Sequence, residues 1–206
     1  MAAPEYERND DGQGEDQDIL DNPGQRIVVD FTFGAQENER HNDPDAVANP
    51  GGRGGRYVGG GHRPDATMHR RLSTILRNLV ASEQFRTSRQ LLEISGVGEF
   101  TVADFFVPFA STLPSHDGQY RGYWGMVANA SMGKGGALWL NSGGKGDVSL
   151  VVGDVLVRQL YGRFNLADEE DLAGAYALVF GKLRVSQNDK KYVKVDDLGF
   201  FTLRPV

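Results

Sequence analysis

The chain has 206 residues, of which 39% are hydrophobic and 27 are glycine, and the absence of cysteine excludes disulfides and thiolate zinc sites. The net charge of −6 is uneven: residues 1–45 carry 13 acidic side chains and three arginines, and residues 46–94 carry eight arginines and three acidic side chains. No stretch approaches the roughly 18 apolar residues of a membrane span, and the acidic N-terminus lacks the apolar core of a secretion signal. We therefore expect an intracellular, soluble protein without membrane contact, with the nucleus or another DNA-containing compartment as an option.

Residues 1–60 are predicted to form a disordered acidic tail that ends in a Gly/Arg-rich segment. Residues 1–23 are polar and acidic, so they bury too little apolar surface to offset the entropy lost on ordering. Within this tail, residues 26–33 (RIVVDFTF) alternate and are rich in β-branched side chains, which predicts a strand. That strand would dock on the edge of a β-domain or act as a short recognition segment; an isolated apolar patch is the alternative.

The Gly/Arg-rich segment, residues 51–61, reads GGRGGRYVGGG. Its glycines favour a flexible backbone, and Arg53 and Arg56 offer charge and guanidinium stacking. The segment resembles RGG-type RNA-binding tracts in a single short copy. A plain flexible linker explains the same residues.

Residues 61–95 are predicted to be a short helical segment. Asp65 is a suitable N-cap, and apolar residues then recur at three- and four-residue spacing: Met68, Leu72, Ile75, Leu76, Leu79 and Val80. On this helix Arg70 and Arg77 would share a face, where they contact phosphate or simply face solvent. Thr87 and Ser88 are predicted to cap a second helix over residues 90–94.

Residues 91–106 (LLEISGVGEFTVADFF) allow two interpretations. The pattern LLxIxGVGxxT resembles a helix-hairpin-helix element, in which backbone N–H groups approach a DNA phosphate. However, Val102 replaces the small residue usual after the threonine, and the following run is β-branched and aromatic and contains Pro108. These features favour a turn followed by a strand.

From residue 120 onward the apolar pattern has a period of two. It predicts strands over residues 121–131, 137–142, 147–156, 175–185 and 191–196, with a short final strand at 199–204 and a helix at 157–164. Gly-rich turns separate the first strands, and Lys134 lies in one of them. Gly125 and Gly181 fall within strands, where a small coiled barrel needs bends. The predicted fold class is therefore mainly β, with a small five-stranded barrel over residues 96–206.

Residues 172–195, LAGAYALVFGKLRVSQNDKKYVKV, resemble the hairpin of the fourth and fifth strands of OB-fold proteins such as the replication protein A and single-strand-binding families. The resemblance covers roughly 75–85 residues and implies an OB-fold. It also implies binding of single-stranded nucleic acid, although the same fold serves as a protein-binding scaffold.

Strand alternation places aliphatic side chains on one face of the predicted barrel and a mixture of aromatic and cationic side chains on the other. Such a face suits base stacking combined with phosphate attraction. Trp124, Tyr176 and Phe180 are expected to fill the core instead. The residues predicted to bind nucleic acid are Tyr123, Trp139, Lys134, Lys182, Arg184, Tyr192, Lys194, Arg53, Arg56, Arg70 and Arg77.

The sequence contains no recognisable catalytic constellation, metal-ligand spacing or cofactor motif, so no enzyme activity, metal or cofactor is expected. The leading hypothesis is a non-catalytic accessory protein that binds single-stranded nucleic acid, DNA in preference to RNA, in replication, repair, or telomere or RNA handling. Protein partners would bind the acidic tail or an apolar strand edge. The alternatives are a protein-interaction OB module within a larger complex and a structural β-barrel of a nucleoprotein assembly.

Overall fold

The computed structural model describes residues 19, 24–29, 67–70, 72–144 and 146–204, and their architecture is mainly β, as predicted. The chain order is β1 (Arg26–Val29), β2 (Thr67–Arg70), α1 (Leu72–Ala81), α2 (Glu83–Arg86), β3 (Leu91–Ile94), β4 (Gly98–Thr101), α3 (Val102–Phe105), β5 (Phe106–Pro108), β6 (Tyr120–Met126), β7 (Asn129–Met132), β8 (Leu138–Asn141), β9 (Ser149–Val152), α4 (Asp154–Phe164), β10 (Tyr176–Val185), β11 (Lys191–Val195) and β12 (Phe201–Arg204). None of the helices in these ranges is long and apolar enough to cross a membrane.

The first four strands form a small sheet in the order β2-β1-β3-β4. Strand β1 pairs in parallel with both β2 and β3, so it is a central strand of this sheet and is not docked on the edge of the larger β-domain. Its alternation is as predicted, since Ile27 and Val29 are buried. Residues 30–33 of the predicted strand lie outside the described residues. We call this sheet, together with α1, α2 and α3, the N-terminal layer.

The helix predicted to begin at Asp65 begins instead at Leu72. Residues Thr67–Arg70 form β2, because their backbone pairs with β1 and the local helical pattern does not outweigh that pairing. The apolar stripe itself is confirmed from residue 72 onward, since Leu72, Ile75, Leu76 and Leu79 are all buried. Arg70 therefore lies on a strand and shares no helix face with Arg77.

The predicted second helix is also wrong in position. Helix α2 precedes it, with Ser82 as N-cap: the Phe85 N–H donates to Ser82 Oγ at 3.1 Å. The residues predicted as helical form β3, which pairs with β4 in an antiparallel hairpin. A short helix, α3, and then β5 follow, so residues 91–106 are a turn between strands and not a helix-hairpin-helix.

The remaining strands form a large sheet in the order β5-β6-β10-β11-β9-β8-β7, with β12 paired to β10. The five predicted barrel strands are present, and α4 lies between the third and fourth of them. The predicted closed five-stranded barrel is not observed, because this hydrogen-bonded path is open. The first predicted strand is split into β6 and β7 at Val127 and Ala128. The Val127 N–H donates to Ala175 O at 2.8 Å, and the Ala128 N–H donates to Asn141 O at 2.7 Å, so the two halves bond to opposite parts of the sheet.

Two hydrophobic cores hold the structure. The first lies between the inner face of the large sheet and α4, and it includes Tyr123, Leu183 and Val193. The second joins the N-terminal layer to the outer face of β6 and β10, and it includes Ile19, Ile27, Leu76, Trp124 and Phe180. Part of the segment expected to be a tail is thus packed in a core, and the domain boundary predicted at residue 96 falls inside the β3–β4 hairpin.

Glycines within the strands allow close packing of neighbouring side chains. A Cβ on Gly125 would lie 2.6 Å from Phe109 Cδ2, and its φ of 155° disfavours any other residue. A Cβ on Gly181 would lie 2.8 Å from Val193 Cγ1. These glycines therefore make room for the core side chains of Phe109 and Val193.

Candidate nucleic-acid interface

A groove opens on the large sheet where β10 changes its neighbour. The first part of β10, up to Val179, pairs with β12, and the last part, from Leu183, pairs with β11. Between β11 and β12 the chain makes a 3₁₀ turn at Leu198–Phe200. The resulting fork leaves a groove of about 510 Å³, which we call the fork groove. It is lined by Tyr120, Val179, Phe180, Gly181, Lys182, Arg184, Tyr192, Lys194, Val195, Asp196, Asp197 and Phe200.

Four of the predicted binding residues meet in the fork groove: Lys182 and Arg184 from β10, and Tyr192 and Lys194 from β11. Strand alternation explains this placement, because the intervening Leu183 and Val193 are buried in the first core. Arg184 lies directly opposite Tyr192 in the antiparallel register. The pleat thus collects one aromatic and three cationic side chains on one surface.

Trp139 extends this surface across the sheet. Its ring centroid lies 6.4 Å from that of Tyr192, with 51° between the ring planes. In the register of the sheet Trp139 is opposite Val151, and Val151 is opposite Lys194. The indole is half-buried, and its Nε1 would lie 2.7 Å from a Cβ on Gly133, so the β7–β8 turn packs against its edge. Lys134 is exposed in that same turn.

The cations of the fork groove have no partner in the part of the chain that the structure describes. Within the described residues, the side chains of Lys182, Arg184 and Lys194 make no hydrogen bond or ion pair, and all three are exposed. Positive charge that is held together on a surface without internal partners is available to an anionic ligand.

Nearby basic side chains serve the fold instead. Arg163 Nη1 donates to Leu198 O at 2.5 Å, and burial lowers the pKa of Arg163 while Asp197 partly offsets that effect. Lys190 Nζ donates to Asp147 O at 3.2 Å, and burial likewise lowers the pKa of Lys190. Lys191 Nζ donates to Thr112 O. Arg163, Lys190 and Lys191 thus bond to backbone carbonyls of loops, whereas Lys182, Arg184 and Lys194 line the groove.

Tyr123, another predicted binding residue, lies in the first core with no exposed surface. Its hydroxyl donates to Gln119 O at 3.1 Å, and burial raises its pKa to about 12. A base cannot reach this ring, because the side chain lies on the inner face of β6, which is buried in the first core. Tyr123 is therefore excluded from the candidate interface.

The predicted arginines do not converge on the fork groove in the described part of the chain. Arg77 lies on α1 and does not line the groove. Arg70 lies on β2, and its side chain is outside the described residues, as are Arg53 and Arg56. Arg86 has a structural role: its Nη1 donates to Leu79 O at 2.9 Å, and its guanidinium lies 5.9 Å from the Trp124 ring.

The N-terminal layer covers part of the face that sequence alternation had grouped together. Trp124, Leu178 and Phe180 share the outer face of β6 and β10 with Lys182, but they are buried in the second core, as was expected for Trp124 and Phe180. Only the C-terminal half of β10 is open to a ligand. The sequence did not identify the further lining residues Tyr120, Asp196, Asp197 and Phe200, although Asp196 ends the fifth predicted strand and Asp197 directly follows it.

Across the described ranges, no group of three or more His, Asp or Glu side chains is arranged to hold a metal ion.

Comparisons with known proteins leave the family open. No family model matches the sequence, and no curated protein is similar to it. Among solved structures, the asparaginyl-tRNA synthetase from Pyrococcus horikoshii is similar over 48% of this chain, with 18% sequence identity and a TM-score of 0.36. The similar region spans only 23% of the synthetase chain. A likeness of this strength assigns neither a family nor a function.

Proposed function

We propose that the protein is a non-catalytic accessory protein that binds single-stranded nucleic acid, and that its large sheet is an OB-like binding domain. The observation that carries the proposal is the fork groove, where Lys182, Arg184 and Lys194 lie beside the half-buried ring of Tyr192 and have no hydrogen-bond or ion-pair partner among the described residues. DNA is favoured over RNA, on the resemblance of residues 172–195 to replication protein A and single-strand-binding families. A role in replication, repair, or telomere or RNA handling fits this activity.

The arrangement matches the two chemical features of a single strand. Its phosphates are attracted to exposed lysine and arginine, and release of their counterions drives binding. Its unpaired bases stack on aromatic rings, at about 1–3 kcal/mol per base. Trp139 on β8 and Arg184 on β10 are separated by β9 and β11, which is roughly 14 Å at the usual strand spacing. A ligand that contacts both must lie extended across the sheet, as a single strand can.

Binding can be measured with a fluorescently labelled 16-nucleotide oligothymidine, by anisotropy at about 50 and 200 mM salt, a range over which phosphate contacts weaken markedly. We expect binding at the lower salt, weaker binding at the higher salt and little binding to a matched duplex. The chain has two tryptophans, and Trp124 is only 7% exposed, so quenching of tryptophan emission would report on Trp139. No binding at the lower salt, or equal affinity for the duplex, would refute the proposal.

Substitutions locate the contact. Tyr192→Leu and Trp139→Leu should each weaken binding by about 5- to 100-fold, because each removes one stacking platform. Tyr176→Leu is the matched control, since Tyr176 lies on the same strand face but packs against the second core, outside the fork groove. If Tyr176→Leu weakens binding as much as Tyr192→Leu does, the interface is misplaced.

The two apolar segments that suggested the protein-interaction alternative are largely buried, although β5, within the second of them, is an edge strand of the large sheet. The apolar third strand, β9, lies between β11 and β8 and is not an edge strand. The apolar run after Thr101 is packed inside, since Val102, Phe105, Phe106 and Phe109 are all buried. Most of the acidic tail lies outside the described residues, so a protein partner there stays a prediction, as does a structural role in a nucleoprotein assembly.

A further inference from the structure

The fork groove contains negative charge beside its cations. Asp196 and Asp197 both line it and are exposed. Asp197 has a structural task, because its Oδ1 accepts the Gly199 N–H at 2.7 Å and so caps the turn at Leu198–Phe200. Asp196 makes no hydrogen bond or ion pair with any described residue. Both of its carboxylate oxygens are therefore available to a ligand in the groove.

A carboxylate in a groove that attracts phosphate needs a different partner. Ionised aspartate only accepts hydrogen bonds, so it repels phosphate and pairs with N–H donors. In single strands those donors lie on the Watson–Crick edges of the bases. Guanine presents two neighbouring donors, N1–H and the N2 amino group, which match the two oxygens of one carboxylate. Thymine presents a single N–H between two carbonyl groups, and the oxygens of these carbonyls repel a carboxylate.

The groove also has aromatic walls against which a base can lie. Tyr120 and Phe200 line it, and both pack against the second core, which holds their rings in place. Tyr120 is 6.4 Å from the buried ring of Phe105, measured between ring centroids. The volume of about 510 Å³ is within the range of clefts that enclose small ligands.

We propose that the fork groove is a base-selective subsite that prefers guanine, with Asp196 accepting the N1–H and N2–H hydrogen bonds. This inference rests on the proposed single-strand binding. It adds that the surface discriminates between bases, which cations and aromatic rings alone do not do.

The test compares two 16-nucleotide DNA probes by anisotropy: oligothymidine, and the same strand with dG at every fourth position. The wild-type protein should bind the guanine probe about tenfold more tightly, as one well-matched pair of hydrogen bonds to a base provides. Asp196→Asn should bring the two affinities together. Asp189→Asn, which removes the same charge in the exposed β10–β11 turn, should keep the tenfold ratio. Replacing dG by deoxyinosine, which lacks the N2 amino group, should give an intermediate affinity.

The outcomes separate the two proposals. If neither probe binds at low salt, single-strand binding itself is refuted. If both probes bind with equal affinity, or if Asp196→Asn keeps the preference, only the guanine subsite is refuted. If inosine binds as well as guanine, the two-donor contact is wrong. Unchanged thermal unfolding of Asp196→Asn would show that any loss of preference is not caused by misfolding.

Discussion

Replacing Lys182, Arg184 and Lys194 together by glutamine should flatten the salt dependence of single-strand binding. These side chains line the fork groove and have no internal partner among the described residues, so their positive charge is available to phosphate. Glutamine keeps much of the length and polarity of each side chain but removes the charge. The substitution therefore tests electrostatics with little change to the packing of exposed residues.

The size of the effect follows from the number of phosphates that the groove can neutralise. Each phosphate contact contributes about −0.7 to the slope of log K against log salt for a single strand. Three contacts give a slope near −2, so raising salt from about 50 to 200 mM lowers the affinity roughly 20-fold. The triple variant should lose most of that slope, and Lys194→Gln alone should lose about a third of it.

Anisotropy titrations with oligothymidine at four salt concentrations would measure these slopes. Arg158→Gln is the matched control, because Arg158 is exposed on α4 and does not line the groove. Its slope should equal that of the wild type. The reasoning fails if the triple variant keeps the wild-type slope, or if Arg158→Gln changes the slope as much as Lys194→Gln does.

Three further predictions concern stability. Gly125→Ala should lower the free energy of unfolding, measured in urea, by about 1–3 kcal/mol, because the new Cβ meets the Phe109 ring. Gly153→Ala should lower it far less, since a Cβ there has no neighbour within 4 Å. Similar losses for the two variants would contradict the close contact at Gly125. Arg86→Gln should lower the free energy of unfolding by about 1–2 kcal/mol, because the Arg86 guanidinium donates to two carbonyl oxygens of α1. Its control is Arg89→Gln: Arg89 is exposed, and this variant should stay within about 0.5 kcal/mol of the wild type. Burial raises the pKa of Tyr123 from 10.0 to about 12, so the folded state holds this proton more tightly than the unfolded state does. The resulting contribution to the free energy of unfolding is complete below pH 10 and is lost as pH rises towards 12, at up to about 1.4 kcal/mol per pH unit. Tyr123→Phe should show a shallower loss of unfolding free energy over that range, and an unchanged pH profile would refute this assignment.

The alternation of side chains along each strand was enough to predict the part of the interface that lies on the β10–β11 hairpin. Lys182, Arg184, Tyr192 and Lys194 could be assigned to a common surface because successive side chains of a strand point to opposite faces. Leu183 and Val193 then had to be the buried partners, and the structure places them in the first core. The stripe of α1 was readable for the same reason, since helical spacing is also a local property.

The local pattern of apolar residues did not predict which strands pair when they are far apart in the chain, or which strand faces are then buried. Thr67–Arg70 reads as the start of a helix, yet it pairs in parallel with β1, about 40 positions earlier in the chain. Tyr123 and Trp124 are adjacent in sequence and were assigned opposite faces, but both are buried because a core lies on each side of β6. Neither outcome can be read from a single strand.

The sequence by itself thus determined the mainly β character, the charge asymmetry and the aromatic and cationic face of β10 and β11, because these follow from composition and side-chain period. Only the tertiary structure decided how much of that face is open. The N-terminal layer covers Phe180, and the change of partner from β12 to β11 opens the fork groove beside Lys182. Asp196 follows Lys194 by two residues, so strand alternation alone places it on the same face, and the fork then brings both beside Lys182 and Arg184 of β10.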